Sequence, residues 1–423
     1  MTQNAYDIAI VGAGMVGAAI ACGLGPTGLR IAILDRTPPP PFDANQAPDI
    51  RVSALSYASE QILRNLGAWQ FISAMRTCPY QRMGVTEKLD TPLSFAGSPL
   101  NQTLFDSTDI GYPYLGHIVE NNVTQLGLHK AMAQHKNIDI LCPSDIKSID
   151  FDASLPTVFY TQTEQSDKVV ELSAKLIIGA DGALSKVRDW ASIGMNSNQY
   201  EQQALVATVE YQGTQQDITW QAFTSTGPLA FLPLMDVNEK HYGSLVWYDQ
   251  PDKIRQLVAQ DDQTFTDEVT KNFPPQLPPL IKLLKKGSFT LVKRHAQDYI
   301  GHRVALAGDA AHTINPLAGQ GVNLGFQDAA TIVEVIIEAH MQGKDIGLAT
   351  NLRQYERLRK IENQKMMEIM DLFYHMFSNN NAPLKVLRNI GLGLADKLPF
   401  GKKKVIRYAM GLEGNLPKLA KPA

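Results

Sequence analysis

The chain has 423 residues, of which 44% are hydrophobic and 19% charged, and its formal net charge is −3. That is too long for one ordinary hydrophobic core, and the composition is that of a globular, water-soluble protein of about two to three folding units. The three cysteines, Cys22, Cys78 and Cys142, form no C-x-x-C pair, so neither a disulfide framework nor a thiolate metal centre is indicated, and a reducing cytoplasm fits.

Tyr6 to Val11 ("YDIAIV") is a β-rich apolar run, followed by Gly12-Ala13-Gly14-Met15-Val16-Gly17 and the helix-like "AAIACGL". After a Gly-Pro-Thr-Gly turn, Leu29 to Leu34 reads as a second buried strand ending at Asp35 and Arg36. The uncharged run Ile8 to Leu29 spans 22 residues, long enough to cross a bilayer, but it holds six glycines and Pro26. With no Lys or Arg in Met1 to Asp7, it reads as strand, turn and helix rather than a targeting segment.

A proline-rich loop follows, and Ala54 to Trp69 is predicted as one amphipathic helix. Arg82 to Pro113 and Tyr200 to Tyr248 alternate and are turn-rich, which predicts antiparallel sheet. Between them, Glu120 to Gln134 reads as a helix and "AKLIIGADG" (Ala174 to Gly182) as a buried strand entering a turn. Thr331 to Met341 and Leu352 to Phe377 look helical. The tail from Asn381 to Ala423 carries nine Lys or Arg against Asp396 and Glu413, a net +7 that leaves −10 for the rest. Its basic residues alternate with Leu384, Leu387, Ile390, Leu392, Leu394 and Phe400. Two readings stand: a peripheral contact with anionic lipid, or a solvated face packed on the protein body. No recognition motif accompanies the charges, so nucleic acid is not expected.

A lone G-x-G-x-x-G is weak evidence, and Gly23 to Gly28 matches it as well. That second match follows a helix, so its glycines end a helix and turn the chain. The first match stands between a strand and a helix. There Gly12 permits a tight turn, Gly14 lets backbone approach a diphosphate, Gly17 lets helix and strand pack, and the helix N-terminus faces the anion. Asp35, 18 residues after Gly17, is placed to accept from a ribose diol. The motif leaves NAD against FAD open. Two later stretches bear on that choice: "GADGALSKVR" (Gly179 to Arg188), with Ser185 and Arg188 placed to meet phosphates, and "GDAAHTINPLAGQGVNLGFQDA" (Gly308 to Ala329).

A G-x-G-x-x-G start, an Asp-Gly motif and a Gly-Asp motif in this order resemble the flavoprotein aromatic monooxygenases. "NPLAGQGVNLGFQD" (Asn315 to Asp328) narrows the resemblance to the ubiquinone-biosynthesis hydroxylases of the UbiH/UbiF/VisC type. The family signature begins His-Pro where this chain has Asn315-Pro316, a departure that argues against a strict UbiH assignment. The resemblance covers nearly the whole chain, and "MDLFYHMFSNNNAPLKVLRNIGL" is most similar to the UbiF branch, which hydroxylates a demethoxy-quinol intermediate.

The resemblance implies an α/β fold, with a glutathione-reductase-like Rossmann FAD-binding domain (1–80, 114–195 and 290–345) interleaved with an antiparallel-sheet substrate domain (81–113 and 196–289). A helical C-terminal region with the basic tail (346–423) completes the expected organisation. FAD would be held by Gly12, Gly14, Met15, Val16, Gly17, Asp35, Arg36, Asp181, Gly308 and Asp309. Pro316, Gly319, Gln320 and Gly321 would form a flavin-facing loop, with Val322 and Asn323 behind it. Arg51 and Gln125 match positions near the FAD phosphates, with a surface salt bridge for the first and solvation for the second as the alternative readings. The implied chemistry is reduction of FAD by NADH or NADPH, formation of a C4a-hydroperoxide with O2, and oxygen transfer to the ring of a polyprenylated quinol. Other ubiquinone-biosynthesis enzymes are the implied protein partners.

No catalytic triad or metal is expected, and His312 reads as a structural hydrogen-bonding residue. With a single strand-supported glycine motif, the nicotinamide has no Rossmann domain of its own. Trp220, Phe223, Phe231, Pro233, Trp247 and Tyr248 are the candidates for lining a substrate pocket, core packing being the competing explanation for each. Three alternatives remain beside the main reading. One is a same-family hydroxylase acting at another ring position or on a non-quinone phenol, and another is a non-catalytic FAD-binding subunit. The third, a FAD-dependent halogenase, lacks support because Trp69, Trp190, Trp220 and Trp247 form no W-x-W-x-I-P motif.

Overall fold

Five strands lie parallel in the order Ile138–Leu141, Ile31–Leu34, Ala5–Val11, Val170–Gly179 and Val304–Leu306 in the computed structural model. The structure describes residues 5–87, 94–95, 98–99, 102–162, 168–314, 319–377 and 399–422. Ile8, Ile10, Ile31, Ile33, Leu176 and Ile178 are fully buried, as expected for parallel strands that read as continuous apolar runs. The helix Met15–Leu24 packs against Asn121–Met132 and against Gly321–Met341, whose alanines and β-branched residues allow close approach. The register aligns Val11 with Leu34 and Gly179, and Gly179 with Leu306. With Leu141 opposite Leu34, all five parallel strands therefore end at one edge of the sheet, where ligands bind in open α/β folds.

A second sheet of eight strands runs His312–Thr313, Leu280–Ala296, Met195–Tyr211, Lys240–Asp249, Gly227–Val237, Ile218–Thr224, Arg82–Glu87 and Gln102–Asp106. Its neighbours are antiparallel except Ile218–Thr224 and Arg82–Glu87, which run parallel. One face is covered by the helices Pro251–Ala259 and Asp262–Asn272 through Ile254, Leu257, Phe265 and Val269. The other face meets Ile314 and Leu324 on one side and Val52, Ala54 and Ile118 on the other. The alternation of side chains along each strand decides which residues look toward the first sheet.

Two helix boundaries differ from expectation. Ala54 to Trp69 is a strand, Val52–Ser56, followed by two helices, Tyr57–Asn65 and Trp69–Met75. The strand pairs with Gly116–Glu120, Ser56 caps the first helix by accepting from the Ser59 amide, and Gly67 at φ 70° breaks the path between the helices. The segment Thr331 to Met341 is only the second half of a helix that starts at Gly321, whose glycine-rich first turns disguise it in the sequence.

Candidate flavin site

The Gly12–Gly17 turn is shaped by three different demands. Gly12 sits at φ 100°, and a Cβ there would lie 2.4 Å from the Ala180 carbonyl oxygen. A Cβ on Gly17 would lie 1.9 Å from the Gly12 oxygen, so this glycine lets the helix close on the turn. Gly14 differs from both: a Cβ there would meet nothing within 4 Å. Its missing side chain thus leaves open space at the N-terminus of Met15–Leu24, an end with no side-chain cap and no acid in its first turn. Unsatisfied amides facing an open cradle suit a diphosphate.

The turn is held from behind. Asp35 Oδ2 accepts the Ala13 amide at 2.6 Å, while Gln125 Nε2 donates to the Ala13 carbonyl at 3.0 Å and His129 Nε2 lies 2.8 Å from the same oxygen. Both backbone groups of Ala13 are therefore occupied by side chains from two other elements. His129 escaped the sequence reading, although it is one helical turn from Gln125 and so shares its face. Asp35 also accepts the Thr37 amide at 3.2 Å, and Arg36 points away to pair with Asp145 at 3.0 Å. Arg51 is exposed, with its backbone carbonyl accepting the Asn121 amide.

Ser185 and Arg188 do not meet a phosphate-facing surface. Ser185 is fully buried, caps the helix Lys186–Trp190 through the Arg188 amide and donates to Asp181 Oδ1 at 2.5 Å. Arg188 is buried too, with Nη1 donating to the Ala310 carbonyl at 3.3 Å. The pair thus ties the Asp-Gly turn to the Gly-Asp turn. Asp181 accepts the Lys186 and Val187 amides, and burial raises its carboxyl above the ordinary range against these hydrogen bonds.

Gly308 adopts φ 60° at the end of the last parallel strand and presents Asp309 to solvent. Asp309 is exposed yet ringed by protein; that crowding pushes its carboxyl up, while His312, Arg294 and Arg51 pull it down. His312 itself is buried with Nε2 2.5 Å from Asp328 Oδ2, in keeping with a structural role.

Pro316 lies outside the described residues. Gly319 at φ 62° stands 3.4 Å from the Ala54 Cβ when given a Cβ of its own, whereas Gly321, like Gly14, opens on empty space. Gln320 is the N-cap of the helix that Gly321 begins, and that end also lacks a side-chain cap and a first-turn acid. Val322 is half-buried. Asn323 is spent within the protein: Nδ2 donates to the Ala54 carbonyl at 2.9 Å and Oδ1 accepts the Ser56 amide at 3.0 Å. Its side chain pins the helix start to the strand Val52–Ser56 instead of reaching outward. Two glycine cradles, two uncapped helix ends and acids at two strand termini fit FAD, a long ligand with a diphosphate and a flat ring.

The aromatic candidates divide by strand parity. Trp220, Phe231 and Trp247 belong to the core beneath the helices Pro251–Ala259 and Asp262–Asn272, on the face away from the first sheet. Phe231 lies across Gly243, where a Cβ would come within 2.3 Å of its ring, and Pro233 follows it on the same face by alternation. These residues are packing, not pocket wall. Tyr248 faces the other way and joins Ile314 and Leu324, which stand before and after the Gly319–Gly321 stretch in the chain. Phe223 lies an odd number of residues from both Trp220 and Ala222, three and one, and so points with Tyr248. Residues the sequence did not single out, Val246, Leu232 and Leu234, share that inward face.

A family model described as an FAD binding domain matches residues 5–369. The 3-demethoxyubiquinol 3-hydroxylase of Escherichia coli K12 is 39% identical, covering 97% of this chain and 100% of its own. The mitochondrial ubiquinone biosynthesis monooxygenase COQ6 of Xenopus tropicalis is 33% identical over 96% of this chain and 93% of its own. Among solved structures, the p-nitrophenol 4-monooxygenase PnpA of Pseudomonas putida DLL-E4 superposes with a TM-score of 0.77 at 17% identity, over 98% of this chain and 100% of that one.

Proposed function

The chain belongs to the FAD-binding monooxygenases of ubiquinone biosynthesis, and we propose that it hydroxylates the ring of a polyprenylated benzoquinol, 3-demethoxyubiquinol first among the candidates. The observation that carries this reading is the pair of open glycine positions, Gly14 and Gly321, at uncapped helix ends in a chain matched end to end by a quinol hydroxylase.

When bound, FAD would supply the activation of O2 with electrons from NADH or NADPH. The residues of the chain bind, orient and exclude water. The Gly12–Gly17 turn and the helix behind it would hold the diphosphate, Asp35 a ribose, and Asp309 the chain leading to the ring. Gly319 and Gly321 leave space for a flat group, and the positive end of Gly321–Met341 would favour negative charge on it. Tyr248, Val246, Ile314 and Leu324 supply an apolar wall between the flavin-facing loop and the sheet, which keeps water from the reacting ring. We read the unit made of 81–113 and 196–289 as the substrate domain, with the rest of the sheet-bearing chain holding FAD.

Deleting the gene in its host and identifying the accumulated quinone lipid by mass spectrometry tests the substrate. Accumulation of the demethoxy intermediate is expected; a less hydroxylated phenol would move the reaction to another ring position, and an unchanged quinone profile would reject the pathway.

No helix among the described residues is long and apolar enough to cross a membrane. A polyprenylated substrate resides in lipid, and the helix Pro399–Ala409 exposes Val405 and Tyr408 beside the exposed Lys403 and Lys404. That surface suits a peripheral contact with anionic lipid. Lys402 and Arg407 are instead paired with Asp109 and Glu413. The segment holding Leu384, Leu387, Ile390, Leu392 and Leu394 lies outside the described residues, and the Phe400 side chain is likewise not described. Lys403→Glu with Lys404→Glu should weaken binding to anionic vesicles at constant FAD content, and unchanged binding rejects this surface.

A further inference from the structure

Behind the Gly-Asp turn lies a polar cluster that the proposed chemistry does not use. Asp328, on the helix Gly321–Met341, is fully buried. Its Oδ2 accepts the Gly308 amide at 3.0 Å and faces His312 Nε2 at 2.5 Å. Its Oδ1 accepts Arg359 Nε at 2.7 Å and Asn363 Nδ2 at 3.1 Å. Arg359, only 1% exposed, also donates to Asn363 Oδ1 at 2.8 Å and to Gln327 Oε1 at 3.1 Å. Burial alone would raise the Asp328 carboxyl, but His312 and Arg359 hold it well below the usual carboxylate range.

Arg359 and Asn363 come from the helix Ala349–Phe377. One turn earlier the same helix grips the strand that leads into the turn: the Tyr355 hydroxyl donates to the Leu306 carbonyl at 2.6 Å. Glu356 accepts the Tyr299 amide at 2.8 Å, beside the Asn363 amide that also reaches the Tyr299 hydroxyl at 3.3 Å. A buried ion pair is seldom the cheapest way to stabilise a fold, because apolar replacements of the same shape often do as well. This one is spent on the amide of Gly308, one residue before Asp309, where the left-handed backbone has to be held.

We propose that Asp328 is a positioning residue for the Gly308–Asp309 turn, and that Arg359, from the distal helix, sets the charge behind that turn. The inference rests on the FAD reading of the site. Without Arg359, the negative charge of Asp328 loses a partner, and negative charge on a flavin held at the Gly308–Asp309 turn would be less favoured.

The test uses the full chain: FAD titrated into apoprotein, and the midpoint potential of the bound flavin, for Arg359→Met, Arg359→Lys and Asn363→Ala. Arg359→Met removes all three guanidinium hydrogen bonds and is expected to bind FAD about tenfold more weakly and to show a lower potential. Arg359→Lys should restore the potential. A lower melting temperature with unchanged affinity and potential in Arg359→Met would make the cluster a brace only and overturn the proposal. If that variant does not fold, Asn363→Ala decides: it keeps both charges, so weaker FAD binding at constant potential supports the proposal and wild-type affinity overturns it. Wild-type protein that takes up no FAD would refute the underlying reading instead.

Discussion

Gly12–Gly17 and Gly23–Gly28 have the same spacing of glycines and lie at opposite ends of one helix. In the first, Gly14 leaves a gap that no protein atom fills. In the second, Gly23 backs onto Val333 and Gly25 onto the His135 ring, with Cβ positions 2.8 and 2.5 Å from those side chains, and Gly28 turns the chain at φ 75°. Both turns need glycine, but for different reasons. One leaves open space at the positive end of a helix, where we propose the ligand binds; the other makes room for neighbours at the negative end. A spacing motif therefore carries function only with the strand before it and the helix after it.

Substitutions can break this comparison. Gly17→Ala should do the most damage, since a Cβ 1.9 Å from the Gly12 oxygen costs about 3 kcal/mol and distorts the turn, so both melting temperature and flavin content should fall. Gly14→Val should separate the two effects: FAD affinity drops by about a hundredfold or more, about 2.7 kcal/mol, while apoprotein stability changes by about 1 kcal/mol at most. Flavin retained at wild-type affinity in Gly14→Val would remove the cradle from the site. Gln125→Ala together with His129→Gln loosens the Ala13 carbonyl and should weaken FAD binding about tenfold, measured by fluorescence titration. The control in the second turn is Gly25→Ala, which presses on the His135 ring; it should cost about 1 kcal/mol of stability and leave FAD binding unchanged.

The smallest effect lies away from both turns. Burial, with His312, Lys360 and Lys293 nearby, lowers His295 to about 4, so it stays neutral in the folded protein at pH values where the unfolded chain protonates it. Its contribution is complete above pH about 6.5 and is lost as pH falls toward 4. For a half-buried ring this amounts to about 1 kcal/mol, and His295→Gln should flatten that limb of the stability profile in chemical denaturation.

The sequence made the first sheet legible because buried parallel strands write continuous apolar runs bounded by turns, as in "YDIAIV" and "LRIAIL". The steric need for glycine at positions 12 and 17 is readable for the same reason, because backbone sterics are something a residue type reports directly. What failed depended on partners distant in sequence. Ala54 to Ser56 reads as the start of a helix until Gly116–Glu120 is there to pair with it. Trp220, Phe231 and Trp247 are as apolar as Tyr248, and only the second sheet's register tells which face each takes. Ser185 and Arg188 sit beside a motif yet turn inward, because the helix they begin needs a cap. Asp328, Arg359 and Asn363 meet only because two helices cross, and no local pattern announces that.

The most direct test of the account is to supply purified protein with FAD, NADH or NADPH, a short-chain demethoxyubiquinol and isotopically heavy O2, and to weigh the lipid product. A ring one oxygen atom heavier, with that atom drawn from the heavy O2, is the predicted result. Oxidation of NADH or NADPH with release of hydrogen peroxide alone, or a product whose new oxygen comes from water, would contradict it.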